Sequence, residues 1–151
     1  MQPSHIQTTD GVKSVGHDQN VTLYDFTLYC FNCYGFKSSS LYIGEMAKDS
    51  DIVCLSELWL YPQEKHLITD VLFKSTGTRD YTVYFKSAMN DCSNLAGRPF
   101  GGLAMLVKKS ANYSCKEVVS DSSRILSVRM FNACGEVILF IICIPTLLCS
   151  W

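Results

Sequence analysis

The sequence predicts an α/β protein, a layered α/β sandwich of mixed β-sheets flanked by helices. Three observations carry that expectation. The periodicities run strand, helix, strand, helix and then five strands, an order that mixes crossovers with hairpins. Ile52–Ser56 is a nearly continuous apolar run, the pattern of a strand covered on both faces. No Gly-x-Gly-x-x-Gly or P-loop pattern occurs, which argues against a doubly wound nucleotide-binding sheet.

Each element has its own signal. Residues 1–20 lack periodicity and read as a disordered leader to one domain over 21–151. Val21–Asn32 is apolar, aromatic and rich in strand formers. Tyr34-Gly35 turns the chain, and Ser38-Ser39-Ser40 offers a helix N-cap. Tyr42, Ile43, Met46 and Ala47 then recur at helical spacing until Asp49-Ser50-Asp51. After the Ile52–Ser56 strand, Pro62 opens a second helix whose apolar stripe is Leu67, Ile68, Val71 and Leu72.

Tyr81–Lys86 alternates as a half-buried strand should, and residues 87–100 form a polar loop. Gly101-Gly102 lead into an apolar strand and mark a close backbone approach. Tyr113–Val119, Arg124–Phe131 and Glu136–Cys143 read as further strands, the last two joined by the short hairpin loop 132–135.

Bulk composition bounds the function. The 151 residues are one domain's worth of chain, 48% apolar and so able to build a core. A net charge of -1 argues against gripping nucleic acid by charge alone. The charge is uneven: residues 1–75 carry net -4 and residues 76–151 net +3. An acidic half holding a cation and a basic half facing phosphates would look like this, and so would chance.

Eight cysteines suit a secreted scaffold by number but not by position. Cys54, Cys134 and Cys143 fall in or beside expected core strands, where free cysteine serves as a small hydrophobe. The polar N-terminus shows no signal peptide, so an intracellular compartment, nuclear or cytoplasmic, is expected. The apolar run Val137–Cys149 is broken by Pro145 and too short to span a membrane, so it reads as a buried strand.

Two polar residues stand where apolar strands run out, Asn32 and Glu57. Ligands in α/β proteins gather outside the carboxyl ends of strands. A carboxylate beside a carboxamide suits Mg²⁺, which takes oxygen ligands and retains waters and substrate phosphates. The plainer alternative is that Asn32 opens a turn and Glu57 is solvated.

Four segments in order then resemble one family: Phe31-Asn-Cys-Tyr-Gly-Phe, Asp51-Ile-Val-Cys-Leu-Ser-Glu-Leu-Trp-Leu, Gly101-Gly-Leu-Ala-Met-Leu-Val-Lys-Lys and Arg124-Ile-Leu-Ser-Val-Arg. Over roughly residues 22–146 the chain resembles the endonuclease/exonuclease/phosphatase superfamily, and most nearly the endonuclease domains of non-LTR retrotransposons. The resemblance implies Mg²⁺- or Mn²⁺-dependent phosphodiester hydrolysis, with DNA as the partner. Glu57 would be the metal-binding carboxylate and Asn32 its neighbour at the phosphate.

The chain departs from that family's pattern. Where a strand usually ends in N-x-Y-x-P, this sequence has Ile141 at the asparagine and Cys143 at the tyrosine. The later G-D-F-N and S-D-H segments do not occur, and His5, His17 and His66 match no catalytic position. The expectation is therefore a truncated N-terminal half-domain, binding its metal weakly if at all, with little or no activity alone.

Two other readings compete. Cys30-Phe31-Asn32-Cys33 is spaced like a thioredoxin-type redox pair, although the Ile144-Pro145-Thr146 that would face it lies more than one hundred residues on. A non-catalytic interaction module would share the fold and lack the activity.

Overall fold

The structure, a computed structural model, describes residues 26–89, 98–111, 113–133, 135 and 137–143. The expected leader and the segment from residue 144 onward lie outside these. In chain order the elements are β1 (Leu28–Asn32), α1 (Phe36–Lys48), β2 (Ile52–Ser56), α2 (His66–Thr76), β3 (Tyr81–Lys86) and β4 (Leu103–Lys108). They are followed by β5 (Ser114–Val118), β6 (Ile125–Phe131) and β7 (Val137–Cys143).

The first four strands form one sheet in the order β1-β2-β4-β3. In it β1 and β2 run parallel, while β4 is antiparallel to both of its neighbours. The second sheet, β5-β6-β7, is purely antiparallel, so only the first is mixed. A helical crossover between β1 and β2 makes them parallel, whereas the short connections between β5, β6 and β7 make those strands antiparallel.

Three layers result. Ile43, Met46 and Ala47 of α1 and Ile68 and Leu72 of α2 pack with Val53, Leu55, Ala104 and Leu106 on one face of the mixed sheet. On its other face Ile52, Cys54, Leu103, Met105 and Val107 meet Leu126, Val128 and Met130 of β6. Successive strand residues point to opposite faces, so the central strands β2 and β4 bury side chains in both cores. That is why Ile52–Leu55 are buried without alternation, as the apolar run requires.

Two expectations about element ends need correction. First, α1 begins at Phe36, with Gly35 rather than a serine at its N-cap. The amides of Gly35 and Phe36 donate instead to the carbonyls of Glu57 (2.9 Å) and Leu58 (2.8 Å). The serine hydroxyls bond backward, Ser38 to the Gly35 carbonyl (2.9 Å) and Ser39 to that of Cys33 (2.8 Å).

Second, β7 is not a buried strand. Val137, Leu139, Ile141 and Cys143 are exposed, while Phe140 and Ile142 pack toward the core. As the edge of the second sheet, β7 presents one face that no described residue covers. Cys143 is accordingly exposed and not a core residue, whereas Cys54 is buried as expected; Cys134 lies outside the described residues. Among the described residues no helix is long and apolar enough to cross a membrane.

Candidate functional site at the carboxyl ends of the first two strands

In the parallel register Asn32 lies opposite Ser56, which places Asn32 beside Glu57, the next residue of the β2 chain. The two strands are neighbours, the condition on which these two positions would sit side by side. Beyond the strands the backbone keeps pairing. Cys33 donates to the Ser56 carbonyl at 2.8 Å, and Trp59 donates to the Gly101 carbonyl at 2.8 Å. Three chain segments thus converge above the sheet edge.

The convergence bends the backbone into left-handed conformations. Tyr34 (φ 46°), Glu57 (φ 55°) and Trp59 (φ 54°) are the positive-φ residues other than glycine among those described. Gly101 and Gly102, at φ 59° and 89°, complete the cluster where the sequence marked a close approach. Non-glycine residues at positive φ cost about 1 kcal/mol or more each and persist where the surroundings over-determine them. Such strain gathers at functional sites, and here all three examples flank the two strand ends.

Glu57 is half-buried, and its Oε2 accepts the indole N–H of Trp59 at 2.9 Å. The carboxylate is thereby oriented, with Oε1 receiving no donor among the described residues. Asn32 is exposed, and its Oδ1 accepts the Tyr34 amide at 3.3 Å, an Asx turn. Among the described residues its amide N–H groups meet no acceptor. The Arg98 guanidinium lies 4.4 Å from the Trp59 ring centroid, adding a cation to the site. Burial, with the Glu57 charge adding to it, pushes the neighbouring Cys33 thiol up to about 12.

A cavity of about 440 Å³ opens below Asn32, between the first two strands and β7. Cys30, Asn32, Cys54 and Ser56 line one side, and Phe140, Ile142 and Cys143 the other. Cys143 thus shares a groove with Asn32, while Glu57 is not among its lining residues. Cys33 is buried in the helix-side core, and Cys30 opens into the groove on the opposite face. His66 stands at the start of α2, where its Nδ1 lies 3.0 Å from the Gln63 carbonyl.

The sequence reading missed Tyr34, Trp59 and Arg98. Trp59 had a signal, since it follows the candidate carboxylate within the same motif; Arg98 had none. No family model and no curated protein matches this chain.

Proposed function

We propose that the chain carries part of a Mg²⁺- or Mn²⁺-dependent phosphodiesterase centre of the endonuclease type, directed at DNA and with little activity on its own. The observation that carries this reading is the pairing of Asn32 and Glu57 at adjacent strand ends under backbone strain. The donor set fits a hard cation: one oriented carboxylate oxygen is open, and such ions complete their shell with waters and substrate phosphates. When bound, the metal would polarise a phosphoryl oxygen and activate water.

In this reading Trp59 fixes the Glu57 carboxylate through its indole bond, and the Asn32 amide donates to a phosphate oxygen. Among the described residues no group of three or more His, Cys, Asp or Glu gathers for a metal. The test is Mn²⁺ titration followed by electron paramagnetic resonance, with plasmid nicking alongside. Weak Mn²⁺ binding that disappears in Glu57→Gln, with nicking near background, is expected. Binding indifferent to Glu57→Gln would overturn the assignment.

One observation favours a second reading, a non-catalytic interaction module: the exposed apolar residues Val137, Leu139 and Ile141 lie together along β7.

A further inference from the structure

We propose that Cys30 and Cys54 form a peroxide-reactive thiol pair, with Cys30 the thiol that is oxidised and Cys54 the one that resolves it as a disulfide. The pair is set by strand register, not by sequence spacing. Cys30 on β1 lies directly opposite Cys54 on β2, and both line the groove below Asn32. Cys30 is exposed there, whereas Cys54 is buried behind it.

The geometry permits the bond. Neighbouring strands run about 4.8 Å apart, inside the Cα separation that disulfides span. The two Cβ atoms must close by roughly 1 Å to reach their usual disulfide distance of about 3.8 Å. Because β1 is an edge strand, bonded only to β2, it can make that approach without breaking a second ladder.

The electrostatics divide the roles. The Cys54 thiol across the strand pair favours the Cys30 thiolate and holds Cys30 below the ordinary thiol range, against the opposing effect of burial. Its exposure in the groove, together with that bias toward the thiolate, makes Cys30 the nucleophile. Cys54 is held protonated first by its pairing with the Cys30 sulfur, then by burial and by the Cys30 charge. Once Cys30 is oxidised and uncharged, the first and last of these influences are gone.

The chemistry balances with hydrogen peroxide as the two-electron oxidant. The Cys30 sulfur attacks one peroxide oxygen, an S–O bond forms, the O–O bond breaks and hydroxide leaves. The product is a sulfenic acid. The Cys54 sulfur then attacks the Cys30 sulfur, the S–S bond forms, the S–O bond breaks, and hydroxide departs with the Cys54 proton as water. An external dithiol reverses the step by thiol–disulfide exchange.

The test is peroxide treatment of the full chain, followed by non-reducing peptide mapping. A Cys30–Cys54 cross-link is expected, and in Cys54→Ser a dimedone adduct at Cys30. Since Cys54 is buried and its variant could misfold, Cys30→Ser supplies the second arm, in which Cys54 should stay reduced and unlabelled. A cross-link joining Cys30 to any other cysteine would overturn the pairing. So would a Cys30 that stays reduced while other thiols oxidise, or a Cys54 that oxidises equally well without Cys30.

Discussion

Trp59 holds Glu57 from two residues away: its indole nitrogen donates to the Glu57 carboxylate at 2.9 Å, while both residues occupy left-handed backbone. The same tryptophan donates its amide to Gly101 and lies beneath Arg98. It therefore connects the end of β2 and the start of β4 to the Glu57 carboxylate. Trp59→Phe should keep the ring packing and lose the indole bond. The expected cost is about 1–2 kcal/mol, from a hydrogen bond to a charged acceptor, read by urea denaturation. A Phe variant as stable as the parent would mean that solvent compensates the bond fully.

Gly35 sets a second expectation around the same ring. It sits at φ 106°, and a Cβ there would stand 3.0 Å from the Trp59 ring. Gly77, the C-cap of α2, is also left-handed at φ 72°, but a Cβ there meets nothing within 4 Å. Gly35→Ala should therefore cost about 2–3 kcal/mol, strain plus crowding, against about 1 kcal/mol for Gly77→Ala. Equal losses in thermal melts would show that the ring yields freely.

Gly44 tests the helix pair. A Cβ at Gly44 would fall 2.0 Å from Ser75 Oγ and 2.8 Å from Ser75 Cβ. The hydroxyl can rotate away, but the Cβ cannot. Alanine gains about 1 kcal/mol in helix propensity, and overpacking takes back about 1–3 kcal/mol, so Gly44→Ala should be neutral to destabilising. Adding Ser75→Gly should make the double variant more stable than the sum of the two single losses implies. Additive losses would show that α1 and α2 move apart instead.

The legible parts of this fold were those written in local periodicity. The buried run of β2 and the stripe of α2 are fixed by neighbours in sequence. A single helix between two strands makes them parallel, but that β1 and β2 are neighbours, with Asn32 beside Glu57, was left open by the sequence and is set by the sheet order and register. The start of α1 was misplaced because its first amides are satisfied by Glu57 and Leu58 carbonyls, partners more than twenty residues away. For β7, apolar alternation is invisible when both faces carry Ile, Leu and Phe; only the second sheet's uncovered side decides exposure. Nearest spacing paired Cys30 with Cys33, yet strand alternation separates those two and register joins Cys30 to Cys54.

Cys33 makes stability sensitive to alkali. Burial first, and the Glu57 charge second, raise its folded value to about 12. An unfolded thiol ionises near pH 8.5, so above that pH the unfolded chain releases a proton that the folded chain keeps. The stability contribution is intact below about pH 8.5 and is lost as pH climbs from there through the folded value. Between pH 7 and pH 10 the loss from this one group should be about 2 kcal/mol. Urea midpoints at the two pH values should converge in Cys33→Ala by that share. A variant with an unchanged pH slope would place the sensitivity in other groups, such as Tyr81, which burial also raises.

The outer face of β7 should govern solubility more than stability. Leu139 and Ile141 are 49% and 59% exposed, opposite Arg129 and Ser127 of β6. Phe140, between them, points the other way and meets Phe26 edge to ring at a centroid distance of 5.9 Å. Exposed apolar stripes on edge strands invite association, and a charge there blunts it. Leu139→Lys should reduce hydrophobic-dye binding and aggregation while shifting stability by no more than about 0.5 kcal/mol. Phe140→Lys should instead cost about 3 kcal/mol or more, by removing a half-buried ring that packs between the sheets and setting a charge in its place. If both lysine variants destabilise alike, the outer face of β7 is covered in solution, and sedimentation would reveal whether a second copy covers it.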